Sequence, residues 1–159
     1  MWDAMDSHGK SMHEHFMSEA IKEAHKAAEH GEVPVGAVIV KGGVVISRAA
    51  NLRETENQAS AHAEMLAIDR ACKALGSWRL SGCDMYVTLE PCAMCAGALI
   101  QARIDNLFFG AVDDKSGAVV SNVYLLDNPR LGHTVKYEHG ILTDECADIL
   151  KKFFSKLRK

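Results

Sequence analysis

The sequence lacks any run of about 18 consecutive apolar residues, so we expect no segment that spans a membrane. Residues 1–11 also lack the apolar core of a signal peptide, and we expect a flexible tail there. We expect His8, His13 and His15 to be solvated rather than to form a fortuitous metal-binding cluster. No repeat, low-complexity tract or linker divides the 159 residues, of which 48% are hydrophobic and can bury a core. These features favour a cytoplasmic protein with one domain over residues 1–159.

An excess of basic residues is missing as well. The formal net charge of −3 argues against a protein that binds nucleic acid through its overall charge. Positive charge is nevertheless concentrated near the C-terminus, where the predicted last helix carries Lys151, Lys152, Lys156, Arg158 and Lys159. Such a cluster indicates either a phosphate-binding surface or a solvated helix end that the helix dipole favours. The charges alone leave both interpretations open.

Cysteine is too sparse for a framework of disulfides, and its number is odd. Secreted domains held by disulfides have a denser and paired set, whereas this chain has five cysteines. Cys72, Cys83 and Cys146 lie in predicted helices or beside a strand, and we expect them to pack in the core. Only Cys92 and Cys95 are close in sequence, which makes them candidates for a metal site or a redox pair.

The spacing of apolar residues predicts an alternation of helices and strands. Helices are predicted over 12–30, 60–75, 92–102 and from 143 onward, and strands over 34–40, 44–48, 85–89 and 106–111. Lys41-Gly42-Gly43 predicts a hairpin between the first two strands, and Ser60 is the expected cap of the second helix. Residues 116–140 give no clear pattern. Strands that alternate with helices favour a three-layer α/β domain.

Two short segments, each at a predicted helix start, carry residues that bind metals. The first is His62-Ala63-Glu64, and the second is Pro91-Cys92-Ala93-Met94-Cys95. Cysteines three positions apart on a helix lie on one face, within reach of one tetrahedral ion. Pro91 is expected at the first helical position, and the positive helix end favours the thiolate form that binds metal. His62 can supply a neutral imidazole as the third ligand.

Neither motif is specific when it occurs alone. A single C-x-x-C also occurs as a redox pair or as core packing, although here it follows Glu-Pro rather than a thioredoxin-like strand end. A single H-x-E is common at helix starts without any function. Together and in this order, the motifs match the zinc-deaminase pattern of H-x-E followed by P-C-x-x-C. We therefore predict a zinc enzyme that removes an amino group from a nucleobase.

The number of ligands favours catalysis over a structural role. His62, Cys92 and Cys95 make three, whereas structural zinc sites usually have four protein ligands. The open position is available to a water molecule, which zinc can ionise near neutral pH. Glu64 is not a ligand in this pattern, and we predict that it moves protons as the catalytic acid and base. The alternative, a zinc-stabilised binding module without catalysis, has no use for this carboxylate.

Beyond the two motifs, the sequence from about Glu19 to Arg158 resembles the bacterial tRNA-specific adenosine deaminases. The segments that carry the resemblance are Gly31 to Ala37, Asn51 to Thr55, Ala61 to Glu64, Trp78 to Leu80, Tyr86 to Cys92, and Phe153-Phe154 with Arg158. The zinc motifs are common to cytidine-deaminase-like enzymes, whereas the flanking segments indicate the branch that acts on tRNA.

This resemblance implies a three-layer α/β/α cytidine-deaminase-like fold around a mixed five-stranded sheet. It implies a homodimer, with one Zn²⁺ per subunit, that converts the wobble adenosine of a tRNA anticodon loop to inosine and releases ammonia. The substrate-binding positions that it carries over are Asn51 for the flipped base, Ala63 within the zinc motif, and Lys115 and Arg158 for the anticodon backbone. Small residues in the helix over 92–102 suit a dimer interface, but packing within the chain accounts for them equally well.

One alternative shares the same metal chemistry. A small-molecule deaminase for guanine, cytosine or a nucleoside would need a closed pocket and no basic rim. The sequence does depart from the tRNA deaminases over 119–134, where Val120-Ser121-Asn122-Val123-Tyr124 replaces a Gly-Ser-Leu-Met-Asn-like stretch. The basic last helix argues for tRNA, because guanine deaminases of this fold usually end in a segment that seals the pocket.

Overall fold

The computed structural model describes residues 11–158. Within them the helices are α1 (Met12–Glu29), α2 (Ala63–Leu75), α3 (Ala93–Gln101) and α4 (Thr143–Leu157). The strands are β1 (Gly36–Lys41), β2 (Val44–Ala50), β3 (Cys83–Leu89), β4 (Asn106–Ala111) and β5 (Lys136–His139). Two 3-10 turns, Leu125–Asp127 and Pro129–Leu131, lie between β4 and β5. No helix in this part of the chain is both long and apolar enough to cross a bilayer.

The strands form one mixed sheet in the order β2-β1-β3-β4-β5. β1 is antiparallel to β2 and β3, whereas β3, β4 and β5 are parallel. Because successive side chains of a strand point to opposite faces, Ile39 and Met85 pack with α2 and α3, and Val38, Tyr86 and Phe108 pack with α1 and α4. The expected three-layer α/β/α arrangement around five strands is confirmed.

The glycines of the turn explain the first hairpin, whereas the sequence of β5 carries no local signal for a strand. Gly42 and Gly43 join β1 to β2 with φ of +57° and +78°, which glycine adopts without steric strain. β5 lies at the edge of the sheet and pairs with β4, and its residues Lys136–His139 are largely exposed and show no apolar alternation. The apolar pattern therefore predicts four of the five strands.

The start of α1 corrects the predicted tail. Ser11 is the N-cap: its hydroxyl accepts a hydrogen bond from Glu14 N at 3.1 Å, and the Glu14 carboxylate accepts one from Ser11 N at 3.2 Å. The tail prediction over 1–11 is thus wrong at Ser11, and its remainder, 1–10 with His8, lies outside the described residues. His13 and His15 belong to α1, and His13 Nδ1 lies 2.7 Å from the hydroxyl of buried Tyr86.

Two other predicted helix starts are shifted by one or two residues. α2 has His62 as its N-cap rather than Ser60, whose hydroxyl instead accepts a hydrogen bond from Gln58 Nε2 at 2.9 Å. α3 has Cys92 as its N-cap, so Pro91 precedes the cap and does not occupy the first helical position. Both shifts place a predicted metal ligand at the first turn of its helix.

Candidate active site

The two helix starts that carry the metal-binding motifs lie side by side. α2 and α3 pack on the same face of the sheet and contact each other. His62 caps α2, Cys92 caps α3, and Cys95 is the third residue of α3. His62 Nδ1 lies 3.7 Å from Cys92 Sγ and 3.5 Å from Cys95 Sγ. The structure therefore brings the three predicted ligands together.

Their spacing fits one tetrahedral metal ion. Metal–sulfur and metal–nitrogen bonds of roughly 2.3 Å and 2.0 Å at a tetrahedral angle separate the two donor atoms by about 3.5 Å, and the distances from Nδ1 to the two sulfurs are 3.7 Å and 3.5 Å. All three donor atoms lie within 4.8 Å of one another, and residues 11–158 contain no second group of this kind. The cluster can hold a metal that accepts nitrogen and sulfur ligands.

The cysteines are arranged to favour thiolate. Both lie in the first turn of α3, where the helix dipole stabilises negative charge. A hydrogen bond from the Cys95 thiol, together with His62, lowers the pKa of Cys92 to about 3. The same contact raises the pKa of Cys95, because this residue keeps the shared proton. Binding of a metal releases such a proton, since both sulfurs bind as thiolates.

Glu64 lies beside the cluster without belonging to it. It is the second residue of α2, it is 4% exposed, and it lines the same cavity as His62 and Cys92. Burial raises the pKa of Glu64 to about 7. A carboxyl group with this environment can both accept and donate a proton near neutral pH.

The cluster opens into a cavity of about 280 Å³. Two of the predicted substrate residues, Asn51 and Ala63, are buried in its wall. Asn51 Nδ2 donates to the Val33 carbonyl at 3.1 Å, and Asn51 Oδ1 accepts from Arg53 N at 3.2 Å. A primary amide has a second hydrogen and a second lone pair, so Asn51 can still bind a ligand in both directions. The cavity has the size of a pocket for a small molecule or a single base.

The other two predicted substrate residues lie outside the cavity. Lys115 is exposed, and its chain neighbour Ser116 and nearby Asp113 line the cavity, so Lys115 belongs to the rim. Arg158 is exposed at the end of α4 and does not line the cavity. The structure thus gathers three of the four predicted substrate positions at the site, and Arg158 is not among them.

Two buried carboxylates in the cavity wall were not predicted as site residues. Glu32 accepts hydrogen bonds from the backbone of Glu54 and Thr55, and Glu90 accepts four backbone hydrogen bonds from the loop 113–121. Burial alone would raise their pKa values, but the Thr55 hydroxyl and the backbone bonds lower the pKa of Glu32, and the Ser121 hydroxyl and the backbone bonds lower that of Glu90 to about 2. A charged residue directly after a strongly apolar strand, as Glu90 is after β3, was the only signal in the sequence.

Comparison with known proteins identifies the family. A family model described as MafB19-like deaminase matches residues 11–158. The tRNA-specific adenosine deaminase of Bacillus subtilis (strain 168) is 55% identical over 144 residues, which cover 91% of this chain and 89% of that protein. The protein of the same name from Aquifex aeolicus (strain VF5) is 51% identical over 145 residues, 91% of this chain and 95% of its own. The chain belongs to the tRNA-specific adenosine deaminases.

A solved structure agrees with membership in this deaminase family. It comes from studies of A-to-I editing by tRNA:A34 deaminases at the wobble position of transfer RNA. It superimposes with a TM-score of 0.83 at 48% identity, and the match covers 86% of this chain and 99% of that chain. The family expected from the sequence is confirmed, and with it the assignment of the protein as a deaminase.

We expect Cys92→Ala to lose most of the bound metal, because only one sulfur and one nitrogen of the cluster remain. Cys72→Ala is the matched control: Cys72 is also half-buried, but it lies in α2 away from the cluster and should keep the metal. Elemental analysis of both purified variants, with circular dichroism to check folding, measures the difference. A folded Cys92→Ala protein with the metal content of the wild type would contradict this assignment.

Proposed function

We propose that this deaminase hydrolyses the wobble adenosine of a tRNA anticodon loop to inosine and releases ammonia, with its substrate in the cytoplasm. One observation carries the proposal: three ligands converge at one end of a cavity of about 280 Å³, and the non-ligating carboxylate of Glu64 is buried next to them. The names of the relatives supply the substrate, because both curated relatives are tRNA-specific adenosine deaminases.

The metal of the proposal is one Zn²⁺ per subunit, held by His62, Cys92 and Cys95. One nitrogen and two sulfur donors suit zinc, and a site with three protein ligands is the arrangement of catalytic rather than structural zinc. When bound, zinc supplies a water molecule that loses a proton near neutral pH. The amino acids then need to position the base and move the protons.

Glu64 is the proposed carrier of those protons. It accepts one proton from the attacking water and delivers one to the adenine ring nitrogen while the new bond from oxygen to C6 forms. It then takes the remaining proton from the new hydroxyl group on C6 and passes it to the amino group while the bond from C6 to nitrogen breaks, so that water and adenosine become inosine and ammonia. Its burial on the cavity wall, at 4% exposure, keeps bulk water from competing for these transfers.

The base is held by the wall of the cavity, and the rest of the RNA stays outside. Asn51 has one donor and one acceptor left for the flipped base, and Ala63 leaves room beside the ligands. A cavity of this size admits a base but not a stem, which requires the adenosine to leave its stack. Lys115 on the rim and Arg158 at the end of α4 are exposed cations that can approach phosphates.

We expect Glu64→Gln to lower kcat on an anticodon stem-loop at least about 100-fold, since a positioned acid and base contributes about 10²–10⁴ to the rate. The zinc content should stay at the level of the wild type, because Glu64 is not a ligand. Glu29→Gln, at an exposed position near the end of α1, is the matched control and should keep the full rate. Equal rates for Glu64→Gln and the control would exclude the proposed proton carrier.

A comparison of substrates tests the choice of tRNA. We expect inosine in an anticodon stem-loop with adenosine at the wobble position, and no product from free adenosine, guanine or cytosine, because the rim contacts need the RNA backbone. A stem-loop with its adenosine moved one position within the loop is the control and should react far more slowly. Rapid turnover of a free base with no reaction on the stem-loop would assign a small-molecule deaminase instead.

The homodimer of the proposal is supported by an uncovered apolar surface next to the site. Met94 on α3 is 38% exposed, and Val123 and Tyr124, before the 3-10 turn that contacts α3, are 49% and 62% exposed. Gly97 and Ala98 are half-exposed on α3, so a second helix can approach closely. A second copy of this chain is the proposed partner, because two such faces together bury apolar surface that water otherwise contacts.

We expect Met94→Glu to convert the dimer to a monomer, because a charge in an apolar interface stays unpaired. Val44→Glu is the matched control: Val44 is 62% exposed on β2, away from α3, and the variant should stay dimeric. Sedimentation equilibrium at micromolar concentration gives the masses. A wild-type protein that sediments as a monomer of 17.4 kDa would reject the dimer without affecting the chemistry proposed for the site.

A further inference from the structure

The loop 113–121 on the rim of the cavity is organised around one buried carboxylate. Glu90 follows β3, is 2% exposed and lines the cavity. Glu90 Oε2 accepts hydrogen bonds from the backbone N–H groups of Val119, Val120 and Ser121 at 3.0, 2.9 and 3.0 Å. Glu90 Oε1 accepts from Asp113 N at 3.0 Å and from the Ser121 hydroxyl. One side chain thus holds both ends of the loop.

A second layer of hydrogen bonds extends this hold to Lys115. The carboxylate of Asp113, whose own N–H is bound by Glu90, accepts from Lys115 N and Ser116 N at 3.1 Å each. The backbone of the cationic rim residue is therefore connected to Glu90 through one intermediate residue. Pro91 adds a further link, because its carbonyl accepts from Ala118 N at 2.9 Å.

The loop lies so close to Glu90 that one position admits only glycine. A Cβ atom at Gly117 would collide with the Glu90 carboxyl group, so the backbone there contacts the carboxylate directly. Gly117 N donates to Asp113 O at 2.9 Å, and the Asn122 side chain donates to Gly117 O at 3.0 Å. These contacts leave the loop little freedom to shift while Glu90 stays in place.

We propose that Glu90 is a positioning residue for the RNA: it fixes the loop 113–121 so that Lys115 faces the anticodon backbone while Cys92, two residues further on, stays at the metal cluster. This inference rests on the proposed function, because it assigns Lys115 an RNA contact. A buried carboxylate is stable only while its hydrogen bonds are made, so the loop and Glu90 hold each other in place. A rim that is ordered before the RNA arrives loses less conformational entropy on binding.

Glu90→Gln tests the role directly. An amide has only one acceptor oxygen, so whichever way it turns, its NH2 group faces an N–H donor of the loop. We expect KM for the stem-loop to rise about tenfold, as for lost hydrogen bonds to a charged group, with a much smaller change in kcat and unchanged zinc content. Glu29→Gln, the exposed control, should leave KM unchanged.

Ser121→Ala is the milder variant and removes only the hydroxyl donor to Glu90, so that the test does not depend on the folding of Glu90→Gln. We expect KM to rise about threefold. Ser81→Ala is the matched control, because Ser81 is exposed in the turn before β3, at the opposite end of that strand from Glu90. A variant that lowers the melting temperature but keeps the KM of the wild type would show a purely structural role.

A double-mutant cycle separates positioning from general weakening of the site. If Glu90 acts through Lys115, Ser121→Ala should raise KM much less in a Lys115→Ala background than in the wild type, whereas its effect should add to that of Arg158→Ala. Additive effects with Lys115→Ala would overturn the inference.

Amide hydrogen exchange without RNA separates failure of this inference from failure of the proposed function. Glu90→Gln should speed exchange at Val119, Val120 and Ser121, the amides that the carboxylate binds. A wild-type protein that makes no inosine would reject the proposed function whatever these amides do. If the wild type makes inosine but Glu90→Gln changes neither the exchange of these amides nor KM, the role of Glu90 is overturned and the proposed function stands.

Discussion

The approach of His62 Nδ1 to the sulfurs of Cys92 and Cys95, at 3.7 and 3.5 Å, depends on how two helices meet the sheet. α2 and α3 pack on the same face of the sheet. His62 and Cys92 are their N-caps, so both lie where a helix has N–H groups without a partner in the helix. Two positive helix ends therefore converge on one point, which favours the negative sulfur atoms that a metal requires. Glu64 reaches the same point because it lies two residues after His62.

Two buried carboxylates in the wall of the cavity next to this point bind its rim loops. Glu32 and Glu90 are buried, and each accepts hydrogen bonds from N–H and O–H donors of a rim loop. Their partners are mostly backbone N–H groups, which every residue except proline has whatever its side chain. The expected departure from the tRNA deaminases at Val120 to Tyr124 is thus compatible with an intact loop, since the amides of Val120 and Ser121 bind Glu90.

The sequence predicted most of the fold and the centre of the site, because both depend on local patterns. The helices and four strands have clear apolar periods, and the three ligands lie in two short motifs. The apolar pattern did not predict β5, because an exposed edge strand buries few residues. The Ser60 cap was wrong because its hydroxyl binds a nearby side chain instead of the helix. Glu32 and Glu90 were missed as site residues because their partners are 22 to 31 positions away.

The distribution of charge around the cavity explains how an acidic protein can act on RNA. The wall carries Glu32, Glu54, Glu64, Glu90 and Asp113 against the single cation Arg53, whereas Lys115 and the cations of α4 lie outside. Phosphate groups are repelled from such an interior and attracted to the rim, while an uncharged base can enter. The net charge of −3 therefore does not oppose RNA binding. Acidic residues line the cavity, and the cations of the rim and of α4 lie outside it, so the base can enter the cavity and the phosphate backbone stays outside. The loop held by Glu90 lies at the boundary between the two regions, with its carboxylate on the inside and Lys115 on the outside.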